Sequence, residues 1–468
     1  MKKKIIILIA LGVILGSCSN LKKDYQNIDS EIKTYKELSK NYNIDSRWWE
    51  SYGDEQLNNL IELGLKNNSD LAKAAININK ALYQAKIIGS DLVPEFSGSL
   101  SSGASKNIES GGSSNIDHSG SFNISYEVDL WQRLRDMKDA QEWEYKATIE
   151  DYEKTKLTLI NSIIDSYFSI IYLENYIEIN KNMSKNYLDI EKIVENKLRY
   201  GTVGILDKKQ AEREVIRSNN TLISYEKDKK EQESLLCNLL NLKPDDELKI
   251  EYRDILEVKN LRVNLDVPLN IVANRPDIKS YEYRLKNAFK DAVASEKQLY
   301  PNITISSALS SSSDKFNTTL KTPVALGSVS INLPFLNWNE IKWNIKISRA
   351  EYEEAKLNFQ QGIVTALNEI DYNYFLYVKE QENYINLKNI NEYDNEIAIN
   401  YERKYENGKV ELREWLLSLN DEASSRLNII NSKYQLIKIE NTIYQSIGGM
   451  IKKSVSYTHL TLPTILRV

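Results

Sequence analysis

Histidine and cysteine are nearly absent from this chain, whose 468 residues include two of each. Cys18 and Cys237 are too few for a disulfide framework. His118 and His459 have no metal-ligand partner at a useful spacing, and the glycine–lysine motif of a phosphate-binding loop does not occur. Carboxylates are plentiful, but they lie in helical patterns crowded with lysines, which is typical of a solvated surface. The sequence therefore predicts that the chain is not an enzyme and needs no metal or cofactor.

Proline is also scarce, with none between Glu95 and Lys243 and none between Phe335 and Leu462. Low proline with abundant Lys, Glu, Leu, Ile and Asn favours long helices. Acidic residues number 66 against 61 basic residues, a balance that argues against nucleic acid as a partner. The apolar run at residues 5–15 is shorter than the ~18 residues that a membrane-spanning helix needs.

The amino terminus has the pattern of a cleaved export signal. Lysines at positions 2–4 precede the apolar run, and small residues then lead to Cys18, as in a lipobox. The pattern predicts a signal peptide over residues 1–17 and a lipid attached to Cys18; a plain signal with a chance cysteine is the alternative. Ser19 stands where an Asp would resemble the inner-membrane retention signal, so the pattern indicates the outer membrane.

The chain repeats itself once at a constant spacing and without a gap. Such a repeat is far longer than a solenoid unit, so it indicates two copies of a whole subdomain. The recurring pairs include Asn67 and Asn274, Asp70 and Asp277, Ala81 and Ala288, Ala85 and Ala292, Pro94 and Pro301, Gly120 and Gly327, Trp131 and Trp338, Phe168 and Phe375, and Gly201 and Gly408.

Each copy contains one segment with a period of two. In the first copy a helical pattern over 56–89 is followed by a Ser- and Gly-rich stretch over 96–130, with His118 in its predicted loop. Strict alternation predicts a β-hairpin with one apolar and one polar face. The apolar positions are Phe122, Ile124, Tyr126, Val128 and Leu130, and in the second copy Val329, Ile331, Leu333 and Phe335.

A long helix follows each hairpin. The stretch from Trp131 to Tyr200 has no Gly or Pro, and its counterpart from Trp338 to Asn407 contains only Gly362. At 1.5 Å per residue each is a rod of about 105 Å. Gly201 ends the first rod, and a shorter helix over 206–240 returns. Leu157, Ile160, Ile164, Tyr167 and Ile171 alternate in steps of three and four, which is the spacing of a coiled-coil seam.

The two predicted hairpins have strands about ten residues long, with one apolar and one polar face, as in a membrane barrel wall. Four strands in lipid must close by association with other chains, because every backbone group needs a partner there. A soluble sheet packed on the helices is the alternative interpretation.

Local motifs agree with a known family. Trp48-Trp49 and the stretch Tyr52-Gly53-Asp54-Glu55-Gln56-Leu57, then Asn274-Arg275-Pro276-Asp277-Ile278, Tyr300-Pro301, Arg199-Tyr200-Gly201 with Leu206-Asp207, and Tyr405-Glu406-Asn407-Gly408 resemble its motifs. On these motifs the chain, from Trp48 to Met450, resembles the TolC-like outer-membrane factors of bacterial efflux and secretion systems. It is most similar to the lipoprotein branch that serves drug- and metal-efflux pumps.

The resemblance implies a mainly α fold with a small membrane β part and two tandem repeats in each chain. It implies a homotrimer with a twelve-strand β-barrel and a long α-helical barrel in the periplasm. The partners would be a periplasmic adaptor, an inner-membrane transporter and outer-membrane lipid. The predicted segments are 1–17 (signal peptide), 18–56 (lipidated segment), 57–242 (first repeat, hairpin about 95–130), 243–263 (linker or equatorial region), 264–450 (second repeat, hairpin about 302–335) and 451–468 (tail, an artefact of sequencing).

The predicted functional residues fall into three groups. The lipid-facing set is Phe122, Ile124, Tyr126, Val128, Val329, Ile331 and Leu333. The adaptor-contact tip comprises Gly201, Val203, Gly204, Ile205 and Gly408. The gate candidates are Asp207, Glu414 and Tyr405. Tyr405 matches a family tyrosine that holds the tip closed, although Val410 stands in place of its arginine partner. The two acids have an alternative role as N-terminal helix caps.

The predicted function is passive export of small molecules through an outer-membrane duct, with the chain lipid-anchored and extending into the periplasm. A duct accepts what its pump delivers, so drug efflux, metal efflux and protein secretion all stay open. The alternative is a coiled-coil or adaptor-like structural lipoprotein without a pore.

Overall fold

The computed structural model describes residues 21–30, 32–33, 44–45, 47–106, 115–244, 246, 248–261, 263, 269–321 and 323–451. The chain forms two compact units. The first comprises residues up to 34 with 74–152 and 276–363, and the second comprises 35–73, 153–275 and the residues from 364 onward.

Both halves of the chain share one order of elements, which is helix, two strands, long helix and shorter helix, and the first half has one additional α-helix before it. The first half contains α1 (Glu55–Asn67), α2 (Ser69–Ser90), β1 (Glu95–Ser105), β2 (Asn115–Val128), α3 (Arg133–Arg199) and α4 (Ile205–Leu240). The second contains α5 (Pro276–Lys297), β3 (Asn302–Ser313), β4 (Val324–Asn332), α6 (Trp338–Glu406) and α7 (Leu412–Ile447). This order confirms the predicted mainly α class with a small β part.

Shorter elements lie between and before these. A helix covers residues 21–30, and the two-residue strands Ile44–Asp45 and Met450–Ile451 pair antiparallel. The 3-10 helices are Trp48–Tyr52, Ile255–Glu257, Leu269–Asn274, Phe316–Thr318 and Pro334–Asn337. Ile451 was assigned to the predicted tail, and residues 452–468 lie outside the described part of the chain.

None of the helices within the described ranges is both long and apolar enough to cross a membrane.

The predicted seam of α3 is buried in the second unit. Leu157, Ile160, Ile164, Tyr167 and Ile171 are all buried, as are Ile163, Phe168 and Ile170 beside them. Burying an aliphatic or aromatic side chain contributes about 1.5–3 kcal/mol. This part of α3 is therefore stabilised by tertiary packing along a face broader than the predicted seam.

The predicted helix over 56–89 is two helices, because the chain breaks at Asn68. The Asn68 backbone is extended (φ −63°, ψ 125°). Its side-chain oxygen accepts hydrogen bonds from the N–H groups of Asp70 and Leu71, both at 3.0 Å, and its amide donates to the Leu239 carbonyl at 2.9 Å. Asn68 thus caps α2, and this side-chain contact with a distant residue outweighs the local helical pattern.

The structure also corrects the predicted location of His118. The alternation pattern predicted a loop there, whereas His118 lies within β2, opposite Ser102 on one side and Ser313 on the other. The polar Ser and Gly residues before Ser121 concealed the strand, because β-propensity depends strongly on the neighbouring strands.

Two ionisable side chains are buried in the second unit, where α7 meets the segment between the two repeats. Lys433 is 3% exposed and donates from Nζ to the carbonyl of Val258 and to Asn260 Oδ1. Glu440 is 1% exposed and accepts the N–H of Leu261 at 3.0 Å. Burial lowers the pKa of Lys433 and raises the pKa of Glu440 to about 8.

The raised pKa of Glu440 gives the fold a defined pH dependence. A carboxyl group that binds its proton more tightly in the folded state stabilises the fold at low pH. That contribution is lost as the pH rises from the ordinary value of 4.5 towards 8. We expect Glu440→Gln, which stays neutral and can still accept the Leu261 N–H, to flatten the loss of thermal stability between about pH 5 and pH 8.

Thermal unfolding of the detergent-solubilised protein across this range measures the effect. Glu406→Gln, at an exposed position on α6, is the matched control and should keep the wild-type profile. Identical pH profiles for wild type and Glu440→Gln would contradict the assignment.

Candidate pore wall and tip turns

The two hairpins form one antiparallel sheet in the order β1-β2-β3-β4. Phe122 lies opposite Gly98 on β1 and Leu309 on β3, and Ile305 on β3 lies opposite Val329 on β4. Residues opposite each other in neighbouring strands point to the same face of a sheet. The register therefore determines which side chains share a face.

One face of the sheet is mainly apolar. It carries the predicted lipid-facing residues of β2 and β4, and Leu333 follows immediately after β4. The apolar members are Phe96, Leu100, Ala104, Ile116, Phe122, Ile124, Tyr126, Val128, Ile303, Ile305, Leu309, Ala325, Val329 and Ile331, with the polar residues Ser102, His118, Ser307, Ser311 and Ser313 among them. Phe96 and Phe122 are neighbouring rings, with centroids 6.3 Å apart.

The opposite face is mainly serine. Its hydroxyl groups pair between strands: Ser99 Oγ lies 2.8 Å from Ser121 Oγ, and Ser101 Oγ lies 2.7 Å from Ser119 Oγ. The polar members are Glu95, Ser97, Ser99, Ser101, Ser105, Asn115, Asp117, Ser119, Ser121, Asn123, Ser125, Glu127, Asn302, Thr304, Ser306, Ser310, Ser312, Ser328, Ser330 and Asn332, with Ala308, Val324 and Leu326 as apolar exceptions. The sheet thus has one face suited to hydrocarbon and one suited to water.

Both edges of this sheet are open. In the sheet as described, β1 pairs only with β2, and β4 pairs only with β3. An open edge presents a row of unpaired backbone N–H and C=O groups, which another strand can satisfy.

The two tip turns, in the second unit, are built alike. Gly201 follows α3 with φ +71°, and Gly408 follows α6 with φ +66°. The next residue after each glycine donates its N–H back to a helix carbonyl: Thr202 to Lys197 at 2.9 Å, and Lys409 to Lys404 at 2.8 Å. These are Schellman turns, in which a left-handed glycine ends a helix.

The candidate gate acids act as caps at the start of the following helices. The Asp207 carboxylate accepts the N–H of Gly204 at 2.9 Å, and the Glu414 carboxylate accepts the N–H of Glu411 at 3.2 Å. Each acid occupies the third position of its helix and makes the half of a capping box in which that carboxylate accepts the N–H of the capping residue. The structure therefore assigns both acids a capping contact, and their gate role stays a prediction.

Side-chain contacts within the second tip and between the two tips hold the turns together. Tyr405 stacks on Trp415, with centroids 5.2 Å apart and planes 22° apart. Lys197 forms an ion pair with Glu411, which lowers the pKa of that exposed carboxylate. Val203 packs inward against a small core of Ile190, Val194 and Leu416.

Three side chains at the first tip remain exposed although they are apolar or aromatic. They are Tyr200, Ile205 and Leu206. Of the predicted contact residues, Ile205 thus has an exposed side chain, whereas Val203 is partly buried in the tip core.

A family model described as "Outer membrane efflux protein" matches residues 60–242 and 267–449. The matched segments cover most of the chain. The chain belongs to the outer membrane efflux protein family. Its TolC-like fold and its outer-membrane location, both predicted from the sequence, are thereby confirmed.

Named relatives of this efflux protein agree with the family. The chain is 46% identical over 96% of its length and 98% of the relative's to "Toxin and drug export protein A" of Aggregatibacter actinomycetemcomitans. It is 25% identical, over 76% of its own length and 79% of the relative's, to the "Probable outer membrane lipoprotein SilC" of Salmonella typhimurium. The crystal structure of the Campylobacter jejuni CmeC outer membrane channel matches 88% of this chain with 90% of its own, at 25% identity and a TM-score of 0.78.

The structure leaves one predicted site of this efflux protein untested and adds residues that the sequence did not indicate. Cys18, the predicted lipid attachment site, lies outside the described residues. Trp415 as the partner of Tyr405, and the Lys197–Glu411 pair, were missed because each contact joins residues from different helices. The recurrence of Gly201 at Gly408, each after a long helical pattern, was the signal that two equivalent turns existed.

The left-handed glycines generate a prediction. A Cβ in this conformation costs roughly 1–2 kcal/mol, so Gly201→Ala and Gly408→Ala should each lower the free energy of unfolding by about that amount. Gly204→Ala is the matched control, because Gly204 has φ −93° and its added Cβ would meet only Asp207 Oδ2, at 3.8 Å.

Hydrogen exchange at the ends of α3 and α6, together with thermal unfolding, measures the effect. Equal exchange rates in Gly408→Ala and Gly204→Ala would show that the turn does not depend on the left-handed conformation.

Proposed function

We propose that this efflux protein works as a homotrimeric duct across the outer membrane, through which small molecules leave passively. An inner-membrane transporter would supply them through a periplasmic adaptor protein. The observation that supports this most directly is the four-stranded sheet with one apolar face, one serine face and two open edges. A wall between lipid and water needs this pattern, and no enzymatic role is proposed.

The open edges require association with other copies. In lipid no water can satisfy the backbone, so β1 and β4 must each pair with a strand of a neighbouring subunit. Repeating one contact around an axis gives closed cyclic symmetry. Three copies would give the twelve strands that the TolC-like resemblance implies. The apolar face then turns to lipid and the serine face to the lumen.

The name of one relative supports small molecules as cargo. That relative, 46% identical over nearly its whole length, is described as a toxin and drug export protein. The polar face consists mainly of serine hydroxyls, with carboxylates at Glu95, Asp117 and Glu127, which suits a duct for varied polar molecules.

The anchor of the duct would be a lipid on Cys18. Several acyl chains, at ~0.8 kcal/mol per buried CH₂, would attach the mature amino terminus to the membrane durably. The description of a relative as a probable outer membrane lipoprotein supports this assignment.

The gate would lie at the tip turns. Asp207 and Glu414 would contribute two acids per chain around a narrow pore, and such rings attract cations and repel anions. Tyr405 would brace the tip through its stacking on Trp415. The exposed Ile205, with Gly201, Gly204, Gly408 and Val203 shaping the turns, would meet the adaptor.

The proposal is tested by the oligomeric state and conductance of the purified protein. We expect a trimer in detergent and single-channel conductance in a planar bilayer. A non-conducting monomer would favour a structural lipoprotein without a pore.

The face assignment gives a sharper prediction. An Arg at Ile124, near the middle of β2, would place a charge in hydrocarbon and cost about 2–4 kcal/mol. The neighbouring Ser125→Arg, directed to the lumen, should be tolerated. Heat-resistant trimer on gels should therefore fall for Ile124→Arg and not for Ser125→Arg. Equal amounts of trimer from both variants would refute the assigned faces.

The gate is separated from the cap by substitutions that remove charge and keep the hydrogen bond. Asn at 207 and Gln at 414 can still accept the N–H groups of Gly204 and Glu411. We expect the double variant Asp207→Asn/Glu414→Gln to lower cation selectivity in a planar bilayer and to relieve block by multivalent cations, because the acidic ring is lost. Unchanged selectivity would leave the two acids with their capping role alone.

A further inference from the structure

The connection between β3 and β4 folds back over the apolar face of the sheet. The Phe316 ring meets His118 on β2 edge to face, with centroids 5.7 Å apart and planes 84° apart. Leu320 Cδ2 lies 3.5 Å from where a Cβ at Gly120 would stand. His118 and Gly120 share a face with Phe122, because alternate residues of a strand point the same way. The connection therefore lies on the side of the predicted lipid-facing residues.

Internal hydrogen bonds give this connection a defined shape. Thr319 is buried, and its hydroxyl donates to the Lys315 carbonyl at 3.1 Å. The hydroxyls of Thr318 and Ser313 lie 2.6 Å apart. The 3-10 turn Phe316–Thr318 sits between these contacts.

Two large apolar side chains nevertheless remain open to the surroundings. Phe316 is 76% exposed and Leu320 is 75% exposed. In a soluble protein, a polar residue at such an exposed position on a structured turn would cost little stability. Here both project from a segment held against the apolar face, so an apolar environment would cover them.

A lysine flanks each end of this apolar pair. Lys315 precedes Phe316 and Lys321 follows Leu320, and both are exposed. Within the described part of the chain, neither lysine forms an ion pair. The carboxylate of the segment, Asp314, accepts a hydrogen bond from Ser313 at 3.3 Å. The segment thus combines two cations with two exposed apolar groups.

We propose that residues 315–321 form a docking site for a phosphate-bearing lipid of the outer leaflet. Phe316 and Leu320 contact its acyl chains, and Lys315 and Lys321 bind its headgroup phosphates. This inference rests on the proposed function, which turns the apolar face to lipid. Because the helices extend into the periplasm from one end of the strands, the hairpin connections at the other end would lie at the cell surface.

Charge and amphipathy together select this occupant. Basic side chains beside a membrane attract anionic headgroups, and lysine can reach a phosphate as a flexible point charge. A free phosphate ion would not cover Phe316 or Leu320, and a neutral lipid would not engage the lysines. An amphiphile with phosphate groups satisfies both pairs of side chains.

The test uses native mass spectrometry to measure the binding of lipid A to the delipidated full-length protein in detergent. Lys315→Gln/Lys321→Gln should weaken binding on the order of tenfold, because two cations that attract the anionic headgroup are lost. Removal of both phosphates from the lipid should weaken wild-type binding to a similar degree. Phe316→Ser, which keeps both lysines, should also weaken it.

The matched control is Lys227→Gln/Lys259→Gln, which removes the same charge from exposed positions outside the sheet. It should bind lipid A like the wild type. Wild-type affinity in Lys315→Gln/Lys321→Gln, an equal loss in the control, or equal binding of the dephosphorylated lipid would each overturn the site.

Conductance of the same preparations separates this inference from the proposed function. A conducting trimer that binds lipid A independently of the two lysines overturns the docking site alone. A wild-type chain without trimer or conductance overturns the duct, whatever lipid it binds. A conducting Lys315→Gln/Lys321→Gln trimer with weakened lipid binding supports the site.

Discussion

The need of every backbone group for a partner in hydrocarbon is the constraint on which this structure depends. Two hairpins from distant parts of the chain join into one sheet. The inner strands β2 and β3 have backbone partners on both sides, whereas β1 and β4 lie at the edges. Helices satisfy their backbone internally, so the rest of the chain does not share this need. Within the described residues, β1 and β4 are therefore the strands of this sheet with one edge unpaired, and this is why the proposed duct needs neighbouring copies.

The two faces of this sheet carry different side chains, mainly apolar on one face and mainly serine on the other. Serine hydroxyls of β1 and β2 pair with each other across the strands at 2.7 and 2.8 Å, which satisfies them without charges. Where a charge does occur at the end of β2, it is compensated: Glu127 pairs with Arg133 at 2.7 Å. Glu95 and Asp117 lie on the same face, so this face is mainly serine with carboxylates near the strand ends.

Sequence patterns predicted the elements that repeat and missed the contacts that do not. Alternation located β2 and β4, and the absence of Gly and Pro located α3 and α6, because both patterns are local. Local pattern could not reveal the break at Asn68, since the residue that accepts its amide hydrogen bond, Leu239, is far away in the sequence. His118 was assigned to a loop for the same reason, because its strand is defined by the neighbours on either side.

The functional residues also divide into those that a local sequence pattern predicted and those that only tertiary contacts revealed. The position of Gly201 and Gly408 after long helices predicted the turns, because only a left-handed residue ends a helix in this way. The stacking of Tyr405 on Trp415 and the ion pair of Lys197 with Glu411 required the tertiary structure. Lipid attachment at Cys18 remains a prediction from the sequence pattern alone.

The two repeats also differ at equivalent positions, and the difference follows from what lies next to each copy. Tyr167 donates to Asp54 at 2.7 Å, and Arg253 pairs with the same carboxylate. Its counterpart Tyr374 is partly buried, and its hydroxyl has no hydrogen-bond partner within the described ranges. Burial raises the pKa of Tyr374 to about 12.

Asp54 precedes the first repeat and Arg253 lies between the repeats, so neither residue belongs to the duplicated unit. Duplication supplied the same tyrosine twice, and the unduplicated segments supplied a polar partner to one copy only. A burial cost of this kind is tolerated where the surrounding packing is strong. The asymmetry between Tyr167 and Tyr374 thus comes from the segments outside the repeats, which are the parts that a repeat pattern in the sequence does not describe.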